Sequence, residues 1–145
     1  MDDRKKVVVR NLDDHKLDRK LDDRKNGRVL VVDDDREFLE ATRTMLEEHG
    51  YDVVTAKDGS EGLMQAERES PDLIVLDLMM PRRSGFGVLD HLGHPGRPGP
   101  WIVVVTANEE TRHEEIARSK GADMYLKKPF EMCELLSAVD SLLKA

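Results

Sequence analysis

The hydrophobic pattern after Gly27 alternates between short apolar runs and longer stretches of helical periodicity. Apolar runs of four to six residues are typical of buried strands, and apolar positions three to four places apart are typical of helices. Gly50 supplies a stop after the first helical stretch. The predicted strands are 28–32, 51–56, 73–76, 101–105 and 123–126, and the predicted helices are 38–49, 59–69, 85–92, 109–120 and 131–143.

Five apolar strands that alternate with helices indicate a single α/β domain. A strand that is apolar at successive positions is buried on both faces, as in a parallel sheet covered by crossover helices. We therefore predict a doubly wound, five-stranded parallel sheet with helices on both faces. In such a sheet, polar chemistry gathers beyond the carboxyl ends of the strands.

The charge distribution separates a short N-terminal segment from this domain. Residues 1–26 contain nine Lys+Arg and seven Asp, a net charge of +2, whereas residues 27–145 contain 14 Lys+Arg and 23 Asp+Glu, a net charge of −9. The leucines of the first segment are too irregularly spaced for a stable amphipathic helix. We interpret residues 1–26 as a charged extension, disordered or transiently helical, and residues 27–145 as the folded domain.

The overall composition excludes several classes of protein. A single cysteine, Cys133, among 145 residues excludes an internal disulfide framework and favours a reducing compartment. The net charge of −7 has the wrong sign for coating nucleic acid or an anionic membrane. The sequence has no apolar run long enough to span a bilayer. We expect a cytoplasmic protein that binds neither a membrane nor, directly, nucleic acid.

Polar residues follow the apolar runs at the edge where the chemistry is expected. Asp33 and Asp34 follow the first strand, Asp77 the third, Thr106 the fourth and Lys128 the fifth. Crowded carboxylates repel one another unless a cation lies between them, and oxygen ligands without His or Cys favour Mg²⁺. A carboxylate beside such an ion, a lysine and a hydroxyl is suited to phosphoryl transfer, because it can attack phosphorus while its neighbours neutralise the phosphoryl oxygens.

Four sequence blocks carry a resemblance to a known family. They are VLVVDDD, PDLIVLDLMMPRRSG, VVVTA and GADMYLKKPF. Their order and spacing over residues 28–145 resemble the receiver domain of two-component response regulators, of the single-domain chemotaxis or phosphorelay type. The resemblance implies the flavodoxin-like strand order 2-1-3-4-5. It also implies a signalling module that accepts a phosphoryl group from a histidine kinase or a phosphotransfer protein, with Mg²⁺ as cofactor.

The resemblance assigns the acidic residues to two roles. Asp77 is the implied phosphoacceptor. The implied metal ligands are Asp33, Asp34 and Asp77, together with the backbone carbonyl of Met79. Asp35 is interpreted separately as the N-cap of the first helix, because aspartate is a favoured residue at that position.

The resemblance also implies a switch. Thr106 is the implied switch hydroxyl, Tyr125 the aromatic side chain that turns inward behind it, and Lys128 the lysine that contacts the phosphoryl group. The Lys128–Pro129 bond is expected to be cis. Switching would alter the surface of residues 109–143, which would bind a target protein or a second copy of the chain.

Several other functions are compatible with parts of this pattern. A phosphohydrolase that forms an aspartyl-phosphate would be expected to have a second Asp two residues after the nucleophile. This chain has Met79 there, which counts against that function. A nucleotide-binding flavodoxin-like module would be expected to have a Gly-rich turn after the first strand. This chain has DDDRE there, whose negative charge would repel a phosphate in the absence of a metal ion. The last helix reaches almost to Ala145, so we expect output through another protein or through the N-terminal segment, with no enzymatic activity beyond self-phosphorylation and autodephosphorylation. The alternative is the receiver part of a DNA-binding or enzymatic regulator whose output domain is absent here.

Two positions bear on how long a phosphoryl group would persist. Met79 lies two residues after Asp77, and Asn108 lies two residues after Thr106. In the family that the chain resembles, these places influence the access of water to the acyl phosphate. Our hypothesis is that the apolar Met79 makes loss of the phosphoryl group comparatively slow.

Overall fold

Within the described residues, which are 26–80, 85–92, 99–107 and 111–144, the computed structural model contains a five-stranded parallel sheet and five helices. The strand order is 2-1-3-4-5, so the predicted doubly wound fold is confirmed. The strands are β1 (Arg28–Val32), β2 (Asp52–Ala56), β3 (Leu73–Asp77), β4 (Trp101–Thr106) and β5 (Met124–Lys127). The helices are α1 (Arg36–Glu48), α2 (Gly59–Glu69), α3 (Gly85–Leu92), α4 (Thr111–Ser119) and α5 (Met132–Leu143).

Two apolar layers cover the two faces of the sheet. Alternate residues of each strand point to opposite faces, so a strand that is apolar throughout contributes to both layers. Helices α1 and α5 cover one face, and α2, α3 and α4 cover the other. The first layer includes Val29, Val31, Val75, Val103, Leu46 and Leu135, and the second includes Leu30, Val32, Leu76, Val104, Leu89 and Ala117.

The strand register brings the predicted site residues to one edge. Asp33 and Asp77 each come one residue after a paired position of β1 and β3, so they lie in the same row. Thr106 closes β4 in register with Lys127, the residue before Lys128. The carboxyl ends of β1, β3, β4 and β5 therefore meet at the edge where the sequence predicts the acidic site.

A buried arginine holds the opposite edge of the sheet together. The guanidinium of Arg28 forms ion pairs with the carboxylates of Asp52 and Glu69 and donates to the Glu69 carbonyl at 3.1 Å. The backbone N–H of Arg28 donates to Asp72 Oδ2 at 2.8 Å. The starts of β1 and β2 and the end of α2 are thus linked through one side chain. A buried cation needs such partners, because its desolvation is otherwise unfavourable.

The predicted elements differ from the observed ones mainly at their ends. Strands β3 and β4 each extend one residue further than predicted, through Asp77 and Thr106. The predicted extension 1–26 lies outside the described residues except for Asn26, whose side chain donates to the His49 carbonyl at 2.7 Å. Asn108 also lies outside them. In the described ranges, the helices are all too short or too polar to cross a bilayer.

Candidate functional site

Three aspartate carboxylates meet beyond the ends of β1 and β3. Asp33 and Asp77 are buried, the latter with 5% of its surface exposed, and Asp34 is exposed. One carboxylate oxygen from each residue lies within 4.8 Å of the other two. The three side chains predicted to bind metal are therefore close enough to share one cation, and their oxygens are the ligands that Mg²⁺ prefers.

Backbone donors orient the two buried carboxylates. The N–H of Asp35 donates to Asp33 Oδ1 at 2.9 Å, and the N–H of Met79 donates to Asp77 Oδ1 at 3.1 Å. Each bond joins a residue to the carboxylate two places earlier, in a turn that follows a strand. The second carboxylate oxygen of each aspartate is left for other partners.

Asp35 serves the helix rather than the acidic cluster. Its carboxylate accepts hydrogen bonds from the backbone N–H groups of Glu37 and Phe38, at 3.0 and 3.3 Å. These donors belong to the first turn of α1 and have no partner inside the helix. The predicted N-cap role of Asp35 is confirmed.

Lys128 places an ammonium group against the acidic cluster. Its Nζ lies 2.7 Å from Asp33 Oδ2 and 4.3 Å from the centroid of the Phe38 ring. Its backbone N–H donates to the Thr106 carbonyl at 2.8 Å, which ties the residue to the end of β4. The Lys128–Pro129 bond is cis, as predicted.

The two buried carboxyl groups have perturbed acidities. Burial raises the pKa of Asp77 to about 6, and the charge of Asp33 adds to this effect, while the Met79 N–H and the Lys128 ammonium oppose it. Burial also raises the pKa of Asp33, against the hydrogen bond from Lys128. Raised pKa values in neighbouring acids mean that their joint negative charge is unfavourable unless a cation joins them. The site therefore fits a divalent metal ion in charge as well as in ligand type.

The two predicted switch residues lie on the other face of the sheet. Thr106 is fully buried at the end of β4, and Tyr125 packs against the apolar layer beneath α2, α3 and α4. The Tyr125 hydroxyl is buried and has no hydrogen-bond partner among the described residues. Burial raises the pKa of this phenol, and the carboxylate of Glu114 adds to the effect. Asp77, by contrast, belongs to the set of β3 positions that face α1 and α5.

Met79 presents different groups to the site and to solvent. Its N–H contacts the Asp77 carboxylate, and its side chain is 52% exposed. The role of its carbonyl as a metal ligand stays a prediction. An exposed apolar side chain so close to a buried carboxylate can affect how water approaches that carboxylate.

Sequence reasoning missed two residues of this site. Gly85 opens α3 so close to β3 that a Cβ atom would lie 2.3 Å from the Asp77 carbonyl oxygen and 2.5 Å from the Leu78 Cα. A glycine as the first residue of a predicted helix was the available signal. Phe38 counted only as an apolar position of α1, because its contact with Lys128 joins residues that are far apart in the sequence.

Comparison with known proteins decides the family. The family model described as the response regulator receiver domain matches residues 29–140. This chain belongs to the response regulator receiver domain family. Receiver domains are phosphoacceptor signalling modules of two-component systems that bind Mg²⁺ at an acidic pocket and interact with histidine kinases or phosphotransfer proteins. The family match therefore favours a phosphoacceptor signalling module over the nucleotide-binding and phosphohydrolase alternatives.

Relatives of the receiver domain include full-length regulators. The alkaline phosphatase synthesis transcriptional regulatory protein PhoP of Bacillus subtilis (strain 168) is 40% identical over 119 residues, which are 82% of this chain and 49% of PhoP. The response regulator MprA of Mycobacterium leprae is 43% identical over 117 residues, 81% of this chain and 51% of MprA. The chain spans about half the length of the curated relatives it matches.

Solved structures of receiver domains share this fold. The receiver domain of the Francisella response regulator 1452 is 34% identical with a TM-score of 0.75, over 81% of this chain and 97% of that one. A CheY-like receiver domain protein from Methanospirillum hungatei JF-1 is 33% identical with a TM-score of 0.75, over 81% and 93% of the two chains. The architecture described above is thus that of the family.

Proposed function

We propose that Asp77 accepts a phosphoryl group from the phosphohistidine of a histidine kinase or a phosphotransfer protein. The observation that carries this proposal is a buried carboxylate beside two further carboxylates and the Lys128 ammonium, at the edge where parallel sheets collect their chemistry. With a pKa of about 6, the Asp77 carboxyl is mostly ionised at neutral pH and available as a nucleophile.

The transfer step exchanges one bond to phosphorus for another. A carboxylate oxygen of Asp77 forms the new O–P bond while the P–N bond to the donor imidazole breaks. The electron pair of that bond stays on the imidazole nitrogen, which takes up a proton. The Lys128 ammonium donates hydrogen bonds to the phosphoryl oxygens, where negative charge must be stabilised during the transfer, and the Thr106 hydroxyl adds a hydrogen bond once it has moved towards the phosphoryl group.

The acidic cluster supports a magnesium site for this step. Bound Mg²⁺ would neutralise negative charge on the phosphoryl oxygens. The residues that would hold it are Asp33, Asp34 and Asp77, with the backbone carbonyl of Met79. Three carboxylate oxygens within 4.8 Å of one another, two of them on buried acids, support this ligand set.

Phosphorylation would then shift a conformational equilibrium. It adds nearly two negative charges and three acceptor oxygens, and each new charge-assisted hydrogen bond contributes about 1.5–3 kcal/mol. Inverting a 1:99 population takes about 5.5 kcal/mol, and two such bonds together contribute about 3–6 kcal/mol, which is enough for a large shift and, at the upper end, for inversion. In our proposal Thr106 moves towards the phosphoryl group, Tyr125 turns inward behind it, and residues 109–143 bind a target protein or a second copy.

Intact-mass measurement after treatment with acetyl phosphate and Mg²⁺ tests the phosphoacceptor. We expect the wild-type chain to gain the mass of one phosphoryl group and Asp77→Asn to gain none. Asp35→Asn is the matched control, because Asn also caps helices and should preserve the adduct. An adduct of equal yield on Asp77→Asn, or none on the wild type, would reject the proposal.

A phosphoryl mimic tests the switch. Beryllofluoride with Mg²⁺ should change backbone amide chemical shifts in residues 111–143 as well as beside Asp77. Thr106→Val should bind the mimic but lose the distant changes. Shift changes confined to the acidic edge in the wild type would contradict a switching surface, and sedimentation of the loaded protein would separate a second copy from a target protein as the occupant.

A second candidate is that this receiver serves a longer regulator. The observation that favours it is the length of the relatives, about twice the matched region, one of which is named a transcriptional regulatory protein. We propose residues 27–145 as the receiver unit and residues 1–26 as a charged extension in either case. Immunodetection of the endogenous protein discriminates the two: a product of about twice this length supports the longer regulator, and one of this length contradicts it.

A further inference from the structure

The Lys128 ammonium has an aromatic neighbour as well as an acidic one. Nζ lies over the ring of Phe38, 4.3 Å from its centroid, and 2.7 Å from Asp33 Oδ2. Phe38 belongs to the first turn of α1, whereas Lys128 follows β5 at the far side of the site. A cation over the face of an aromatic ring is attracted by the ring quadrupole, and the attraction strengthens as water is excluded.

The Phe38 ring is itself held in place from two directions. The ring of Phe130 meets it edge to face, with centroids 6.1 Å apart and planes at 84°. The backbone N–H of Phe38 donates to the Asp35 carboxylate, and the Asp35 N–H donates to Asp33. Phe38 is therefore part of the same turn that orients the carboxylate paired with Lys128.

The Phe38 ring is a partner of the Lys128 ammonium that does not also serve as a proposed ligand of Mg²⁺. A lysine side chain is long and flexible, and that of Lys128 is 23% exposed, so its ammonium could move into solvent. In the proposed function, Asp33 also binds Mg²⁺, which weakens its attraction for the ammonium. The Phe38 ring carries no charge and is unaffected by that competition.

We propose that Phe38 is a positioning residue for phosphoryl transfer, whose ring keeps the Lys128 ammonium at the acidic edge, within reach of the phosphoryl oxygens. The inference rests on the proposed function of Asp77. Phe38 acts through Lys128 and does not itself touch the reacting atoms.

A double-mutant cycle separates this role from simple packing. The measurement is the Kd for beryllofluoride at saturating Mg²⁺, by isothermal titration calorimetry. We expect Phe38→Leu, which keeps apolar bulk but removes the ring, to raise the Kd by about two- to tenfold. Phe38→Trp, which retains an aromatic face, should stay within about twofold of the wild type. In a Lys128→Met background, Phe38→Leu should have no further effect.

Phe130→Leu is the matched control within the same aromatic pair. It removes a neighbouring ring and leaves the ring beneath Lys128, so its effect on the Kd should be clearly smaller than that of Phe38→Leu. The inference would be overturned if Phe38→Leu and Phe130→Leu raised the Kd equally, or if Phe38→Leu did not change the Kd. It would also be overturned if Phe38→Leu changed the Kd equally with and without Lys128.

Proton NMR of Lys128 distinguishes failure of this inference from failure of the proposed function. The ε-methylene protons should be shifted upfield by the Phe38 ring in the wild type without any ligand, and Phe38→Leu should abolish that shift. If the wild type binds no beryllofluoride, the proposed function fails and the ring contact is judged from this signal. Absence of the upfield shift in the wild type would overturn the inference regardless of binding.

Discussion

The backbone of Asp77 and the first residue of α3, Gly85, are in direct contact. A Cβ atom on Gly85 would lie 2.3 Å from the Asp77 carbonyl oxygen, well inside contact distance for backbone atoms. The Gly85 N–H also donates to the Leu78 carbonyl at 3.1 Å. The start of α3 therefore fixes the chain that carries the proposed phosphoacceptor.

A methyl group at this contact should disturb both stability and the site. We expect Gly85→Ala to lower the free energy of unfolding by about 1–3 kcal/mol, the usual cost of overpacking, and to slow phosphorylation by acetyl phosphate. Urea denaturation and intact-mass kinetics measure the two effects. Gly99→Ala is the control, because its Cβ would meet no atom within 4 Å. Equal behaviour of the two variants would contradict the structural role of Gly85.

The raised pKa of Asp77 predicts that removing its carboxyl group increases the stability of the fold by an amount that depends on pH. Its pKa rises from 3.8 in the unfolded chain to about 6 in the folded one, so folding favours the protonated form. The stability that this group contributes is full below about pH 4 and is lost as the pH rises through about 6. In metal-free buffer, Asp77→Asn should therefore exceed the wild type in stability by a margin that grows with pH, to at most about 3 kcal/mol at neutral pH.

Urea denaturation in EDTA at about pH 4 and about pH 7 checks this margin. Added Mg²⁺ should narrow it at neutral pH, because the ion stabilises the folded wild type by binding to it. A margin that is the same at both pH values would show that the Asp77 carboxyl is not destabilised by burial.

Met79 should prolong the life of the phosphoryl group. Its side chain is apolar and 52% exposed beside Asp77, where a polar side chain could guide water towards the acyl phosphate. We expect the acyl phosphate of the wild type to decay more slowly than that of Met79→Asn, followed by intact mass after removal of acetyl phosphate. Met64→Asn, at a methionine of similar exposure (48%) on α2, should decay like the wild type. Equal decay in all three proteins rejects the hypothesis.

Arg28 should matter for stability and leave phosphoryl acceptance intact. Arg28→Met leaves the Asp52 and Glu69 carboxylates without their buried cation, and we expect a loss of about 2–4 kcal/mol in urea denaturation. Lys120→Met breaks a more exposed pair with Asp90 and should cost less than about 1 kcal/mol. Folded Arg28→Met should still accept a phosphoryl group, since Arg28 lies at the opposite edge of the sheet. Comparable losses in the two variants would contradict the buried network.

The sequence was sufficient for what depends on local pattern and on strand order. Continuous apolar runs such as 28–32 identify strands buried on both faces, and Asp33 and Asp77 identify where the strands end. Contacts between distant segments could not be predicted in this way. The ring of Phe38 beneath Lys128 and the contact of Gly85 with Asp77 depend on how helices pack onto the sheet, and neither spacing nor residue type specifies that packing.

The sheet divides the site into two compartments. Asp77 lies in the half of the molecule that faces α1 and α5, whereas Thr106 and Tyr125 lie in the half that faces the other three helices. Asp77 and Thr106 end the neighbouring strands β3 and β4, which are about 5 Å apart, so a single sheet separates the two halves at this point. In our proposal, the response to phosphorylation therefore depends on the packing of both halves of the domain, as the contact of Gly85 with the backbone of Asp77 illustrates.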